Sequence, residues 1–235
     1  MKIVISSGHG KHVAGASGYI DEVTEARRVV PKAAEYMRQM GAVVTEYNED
    51  TAKNKTDNLN TIIKFHNSCS RDFDVSIHFN AVEGLRDAGI GVETLYFDGN
   101  TQTKAIASRV SKAISKAGGL ILRRGDGTLA STLGFMRLTN KPAILVEVCF
   151  VNSKADVDLY KKNFDAICRA IASAVVGSDG TQASGKTPEE ITVDNAIADG
   201  IVSDRDYWLG VLRGTIQPKP EYFKIVLDRY SEKSR

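Results

Sequence analysis

The sequence predicts an α/β protein followed by a small all-helical domain at the C-terminus. Three observations carry that prediction. Over residues 1–176, short β-branched or apolar runs alternate with stretches of helical periodicity, the pattern of a sheet layered with helices. Residues 177–186 (G-S-D-G-T-Q-A-S-G-K) have linker composition, and residues 187–235 carry helix starts, helix stops and apolar side chains for a small core. Finally, three strands each deliver a residue with chemistry. Ile3-Val4-Ile5 breaks into Ser6-Ser7-Gly8 and delivers His9, Phe73–Ile77 delivers His78, and Ala143–Val146 delivers Glu147. In parallel sheets ligands collect at the carboxyl ends of strands, so these three belong to one constellation, read as a hydrolytic zinc site.

Composition narrows the partners. A chain of 235 residues allows one medium domain and a small appendage. The net charge of +2 makes no electrostatic case for nucleic acid or a membrane surface, and no apolar run is long enough to span a bilayer. Met1 and Lys2 precede only three apolar residues, too few for a signal sequence, which predicts synthesis in the cytoplasm. The cysteines, Cys69, Cys149 and Cys168, are odd in number and lack metal-type spacing. Cys149 and Cys168 fall in apolar patterns and are expected to be buried free thiols.

Each element has its own signal. The helix over Glu22–Met40 shows an apolar stripe through Val23, Ala26, Val30, Ala33, Ala34, Met37 and Met40, with Gly41 as its stop. Pro31 within it predicts a kink or one lost backbone bond. Ala42–Tyr47 reads as a strand, and Lys55–Cys69 as a helix carrying Leu59, Ile62, Ile63 and Phe65. After the strand that ends at His78 and a polar loop, Gly89–Phe97 reads as another strand. Thr101–Ala117 has helical spacing and is ended by Gly118-Gly119. Leu120–Leu133 is polar, basic and Gly-rich, and is expected to be a loop on the substrate side. Pro142 opens the strand that runs to Phe150, and a single helix is expected from Lys154 to Val175. In the tail, Thr187-Pro188-Glu189-Glu190 is a helix start, Ser203 a second cap, and Gly200 and Gly214 are stops. Roughly fifty residues make a marginal domain, one that needs a partner, a second copy or the first domain to stay folded.

The site residues have bland alternatives. A histidine in a strand-end turn is commonly only hydrogen-bonded, and His12 and His66 are read that way. His9, between Gly8 and Gly10, and His78, at the rim of an apolar strand, suit metal ligation: two histidines plus one carboxylate is the three-ligand set of a catalytic zinc. The carboxylate is Glu22 or Glu25. Acids favour a first helical turn regardless of function, and spacing does not separate the two. Glu147 lies in an eight-residue apolar strand, where an unpaired carboxylate costs several kcal/mol. It is either paired with Arg123, Arg124 or Arg137, or a general base beside the metal.

These motifs fit together. S-G-H-G at 7–10, a glutamate heading the first helix, S-I-H-F-N at 76–80, G-V-E-T at 91–94 and P-A-I-L-V-E-V-C-F at 142–150 resemble the zinc N-acetylmuramoyl-L-alanine amidases with His, Glu and His ligands. The resemblance runs in order over residues 1–176. It implies a twisted, mainly parallel sheet with helices on both faces, and cleavage of the amide joining N-acetylmuramic acid to L-alanine of the stem peptide. It also implies zinc ligation by His9, Glu22 and His78, with Glu147 as catalytic acid–base; counting back from Gly41 to the family's helix-heading glutamate selects Glu22 over Glu25. Where the family usually has Asp-Pro-Gly-His-Gly-Gly, this chain has Ser6-Ser7-Gly8-His9-Gly10-Lys11.

The implied partner is bacterial peptidoglycan, with no nucleic acid and no membrane insertion. Without a signal sequence, the expected setting is a phage endolysin released through a holin-type pore, with antimicrobial action on the wall; a sporulation enzyme acting at cell lysis fits equally. Two other functions compete: a zinc peptidase trimming cell-wall stems, and a non-catalytic wall-binding module. Residues 187–235 resemble short helical segments appended to phage-type lysins, which implies wall targeting or self-association.

Overall fold

A computed structural model describes residues 1–177, 192–194, 196–197 and 201–233. The chain divides into two compact units, Met1–Arg38 with Ala42–Thr181, and Gln39–Gly41 with Gln182–Arg235.

In the first unit the β-branched runs form six strands: β1 (Lys2–Ser7), β2 (Val43–Tyr47), β3 (Phe73–Asn80), β4 (Glu93–Phe97), β5 (Thr128–Ser131) and β6 (Ala143–Phe150). They make one sheet in the order β2-β1-β3-β6-β4-β5. Every pairing is parallel except β4 against β6. Four helices lie between the strands, α1 (Glu22–Gln39), α2 (Lys55–Ser68), α3 (Thr101–Gly118) and α4 (Gly134–Leu138), and two follow β6, α5 (Lys154–Lys162) and α6 (Phe164–Val176). The predicted α/β class and mainly parallel sheet are therefore what the chain adopts.

Strand alternation separates the faces. Leu95, Ala143 and Leu145 pack with Ile62 and Ile63 of α2 and with Phe135 and Met136 of α4. Thr94, one residue before Leu95, instead meets Ser111 of α3 at 2.7 Å. On that second side Phe79 meets the Tyr160 ring of α5 edge to face, with centroids 5.0 Å apart. Helices thus cover both faces, and residues of even number along β3 (Asp74, Ser76, His78) share the α2 side.

That side carries a buried polar chain. His66 bridges Ser6 Oγ (2.9 Å) and Asp74 Oδ1 (2.7 Å), and Arg71 grips both Asp74 oxygens, Nε at 2.6 Å and Nη2 at 2.8 Å. His66 is therefore a structural histidine, as the sequence suggested. Removing one member of a buried charged set strands the others, at a cost of about 3–5 kcal/mol. Asp74→Ala is expected to lose that much stability in denaturant titration, and a loss under 1 kcal/mol, roughly the surface-pair value, would contradict it.

Several boundaries differ from expectation. β4 begins at Glu93, not Gly89, because Gly91 turns the chain with φ +110° and Val92 makes only a bridge to Leu122. The supposed loop over 120–133 contains the short edge strand β5, and the five-residue α4 follows it. The expected single helix after β6 breaks at Asn163, whose side chain donates instead to Gly118 O at 3.0 Å. Pro31 is accommodated on the exposed side of α1, which runs from Glu22 to Gln39 across it. Cys149 and Cys168 are buried and free, and burial pushes both thiols up, Cys168 to about 12.

The second unit contains α7 (Arg205–Leu212) and α8 (Pro220–Lys233). The cap of α7 is Asp204, which accepts from Tyr207 N at 3.0 Å, rather than Ser203 one residue earlier. Gly214, with φ +70°, follows the end of α7. The Thr187 helix start, the Gly200 stop and all of the 177–186 linker except Gly177 lie outside the described residues. Among the described residues, no helix is long and apolar enough to cross a membrane.

Candidate active site

The site lies at the carboxyl ends of the parallel strands β1, β3 and β6. Ser7 pairs in register with Ile77, so Gly8 falls beside His78 and the chain then turns to present His9. The approach leaves no space for a side chain: a Cβ on Gly8 would lie 1.8 Å from His78 Nε2. Asn58 of α2 anchors this turn by donating to Gly8 O at 3.1 Å, and Lys11 N is bound to Glu49 O at 2.9 Å.

Glu22, in the first turn of α1, joins the two histidines. Its Oε1 meets His78 Nδ1 at 3.0 Å and accepts from Phe79 N at 3.1 Å. Its Oε2 accepts from Ala16 N at 2.6 Å and lies 3.4 Å from His9 Nε2. One donor atom from each of His9, Glu22 and His78 falls within 4.8 Å of the others. Glu25 is held elsewhere, by Tyr160 Oη at 2.8 Å and Arg28 Nη1 at 2.7 Å. Tertiary packing thus separates the two glutamates that spacing could not. His12 is exposed and stands outside the cluster.

The charges are arranged for a cation. Burial holds the His9 pKa below its ordinary value. Burial would also lower His78, but the hydrogen bond and charge of Glu22, with the charge of Glu147, outweigh it and leave His78 raised. For Glu22, burial works upward and loses to the His78 hydrogen bond and the two imidazole charges, so its carboxyl stays below the usual range. His9 Nδ1 is buried with no hydrogen-bond partner. Two imidazoles and an ionised carboxylate converging on one point, with a buried ring nitrogen unpaired, fit a divalent metal.

Glu147 sits directly across from His78 in the β3–β6 register. Its Oε2 is buried without a partner, and burial, followed by the negative charges of Glu22 and Glu93, pushes its pKa up to about 7 against the opposing charge of His78. The arginines considered as its partners are engaged otherwise: Arg123 and Arg124 pair with Glu93, and Arg137 is exposed on α4. Sequence reasoning quoted Glu93 only within G-V-E-T at 91–94 and gave it no role. The signal was present, since it too is an acid among apolar strand residues, and β4 pairs it with Glu147. A cavity of about 290 Å³ opens beside the histidines, walled by Leu59, Ile62, Phe135 and Leu145.

Fold and donor set together define an α/β protein with a candidate divalent-metal centre at the carboxyl edge of its sheet. Residues 3–176 match the family model described as N-acetylmuramoyl-L-alanine amidase, and the chain belongs to that family. An uncharacterized Clostridium perfringens protein is 32% identical over 176 residues, 74% of this chain and 51% of its own length. The chain spans about half the length of two curated relatives that it matches. Among solved structures, the catalytic domain of an endolysin targeting Clostridia difficile superposes with a TM-score of 0.66 at 25% identity, over 75% of this chain and 97% of that one. The catalytic domain of the amidase CwlV from Bacillus (Paenibacillus) polymyxa superposes with a TM-score of 0.61 at 24% identity, over 77% of this chain and all of that one.

Proposed function

We propose that the chain hydrolyses peptidoglycan with a zinc ion held by His9, Glu22 and His78, cutting the amide between N-acetylmuramic acid and L-alanine of the stem peptide. One observation supports this most: a compact donor set, its atoms within 4.8 Å of one another, stands beside a buried carboxylate oxygen of Glu147 that has no partner. A divalent ion bound there supplies Lewis acidity, polarising the scissile carbonyl and making water acidic enough to attack at neutral pH.

The protein does the rest. Glu22 faces both imidazoles, and its own oxygens are fixed by Phe79 N and Ala16 N, so the donor set is positioned before any ligand arrives. Glu147 moves the proton. It takes one from the attacking water at Oε2 and returns it to the departing L-alanine nitrogen, so the amine leaves neutral and the carboxylate is restored. In the metal-free chain burial raises this carboxyl to about 7, the direction that favours a group able to hold and return a proton. The apolar cavity offers a dry wall for the methyl groups that flank the scissile bond.

Elemental analysis of the purified chain, paired with release of L-alanine amino termini from purified wall, tests the proposal. One zinc per chain with chelator-sensitive release is the expected result. Zinc with cleavage inside the stem peptide would favour the peptidase, and neither metal nor release after zinc is restored would leave a binding module.

For residues 187–235 we propose wall targeting or self-association. A cavity of about 410 Å³ in that unit is lined by Tyr207, Trp208 and Tyr222 together with Asp204, Lys219 and Arg229, a mixture of flat apolar and polar surface suited to a wall sugar. Ile225 and Leu227 are exposed on α8 and favour association instead. Cosedimentation with walls after deletion of 187–235, compared with the change in oligomeric state, separates the two. Action at lysis, through a holin-type pore, is supported by the likeness to an endolysin catalytic domain.

A further inference from the structure

One buried acid of the site has no part in that chemistry. Glu93 is 1% exposed and stands opposite Glu147 in the antiparallel β4–β6 pair. Asn80 Nδ2 donates to its Oε1 at 3.1 Å. Arg124 Nε donates to its Oε2 at 2.7 Å, and Arg123 Nε lies 3.2 Å from the same oxygen. Both arginines therefore turn their Nε inward. Among the described residues, their terminal nitrogens make no hydrogen bond, and the Arg124 side chain is 45% exposed.

The backbone is bent to achieve this. Arg124 has φ +52° and is the only non-glycine residue with positive φ among the described residues. For an L-residue that conformation brings Cβ close to the backbone, and it persists where the surroundings fix it. Charge gives a second sign. One arginine neutralises one carboxylate; two leave a net positive charge beside the catalytic face, with the Arg123 guanidinium lying over the Phe150 ring, 4.6 Å from its centroid, and the fork of Arg124 the more exposed.

We propose that Arg123 and Arg124, oriented by Glu93, form a subsite for a carboxylate on the peptide leaving group, carried by the residue that follows L-alanine. This rests on the amide-hydrolysis reading above. The spacing agrees with it. Arg123 N is bound to Val92 O at 3.2 Å, and Val92 bridges Leu122, so the arginine loop runs one strand beyond β4, which is itself next to β6. Two strand spacings put the loop backbone about 10 Å from that of Glu147. An extended peptide advances about 3.5 Å per residue, so a carboxylate on the second residue falls within the reach of an arginine side chain from that loop. The planar fork of arginine, with paired donors, matches a carboxylate better than a lysine would.

The test uses the zinc-loaded full chain and two peptides, both beginning with L-alanine and amidated at the C-terminus. One has glutamate in second place, the other glutamine. Calorimetric titration should find the glutamate peptide bound at least tenfold more tightly by the wild type. That preference should vanish in Arg124→Gln and shrink in Arg124→Lys, which keeps the charge and loses the fork. Arg123→Gln guards against a misfolded first variant. Equal or absent binding of the two peptides by wild type, or a preference surviving both Arg→Gln changes, overturns the subsite. Wall turnover measured alongside keeps the proposals apart. Turnover without peptide preference removes the subsite and leaves the hydrolase; preference without turnover does the reverse.

Discussion

Glu147→Gln is expected to abolish turnover on purified peptidoglycan, by at least about a thousandfold, since general acid–base groups contribute on the order of 10²–10⁴. The variant should keep wild-type metal content. Its stability separates lost chemistry from lost structure. In the metal-free wild type, burial raises the Glu147 pKa from 4.5 to about 7, so the folded chain retains a proton that the unfolded chain has released. Stability from this group therefore falls as pH rises between those values, the direction for an acid whose folded pKa is raised. Glutamine cannot titrate, so the variant should lack that slope and be at least as stable as wild type above pH 7. Substantial turnover by the variant would remove Glu147 from the mechanism; a large loss of stability would mean its carboxylate is structural.

His78→Ala is expected to lose the metal and, with it, all activity. His78 packs against the backbone of Gly8 and bonds Glu22 at 3.0 Å, so its removal takes away one donor and loosens a second. Catalytic zinc sites rely on three protein ligands, and two are insufficient to retain the ion through dialysis. The measurement is metal per chain after dialysis against buffer. Stoichiometric zinc in the variant would exclude His78 from ligation, whatever the activity. Glu22→Gln should also weaken binding, because Oε1 and Oε2 each bond a backbone amide, and a carboxamide cannot accept at both positions.

The strands that build the site were the most legible part of the sequence. β1, β3 and β6 lie inside the sheet, covered on both faces, and such strands read as continuous apolar runs that end abruptly where the core ends. His9 and His78 stood out at the ends of such runs, and Glu147 as the one acid inside an eight-residue apolar strand. Glu22 and Glu25 share a helical turn, and only the loop at Ala16 and the ring of Tyr160 assign them different neighbours. Those are contacts between distant segments, which spacing does not encode. β5 escaped notice because four residues, T-L-A-S, at the edge of a sheet leave too short a pattern. The reversal of β4 left no trace for a related reason: alternation has the same period in either direction. Glu93 was hidden with it, since its place beside Glu147 depends on that reversal.

The reversed strand also determines where this fold can change without harm. β4 starts at the edge that holds Glu147 and finishes at the opposite edge, so the segment from Ala81 to Val92 borders the reaction while the turn at Asp98–Asn100 lies away from it. Insertions at the two ends of one five-residue strand should thus have unlike fates in descendants of this chain. Lengthening the first segment would reshape the surface beside Glu147 while sparing His9, Glu22 and His78, and lengthening the second would leave that surface alone. A lineage adapting to new walls has a place to experiment, set by the direction of a single strand.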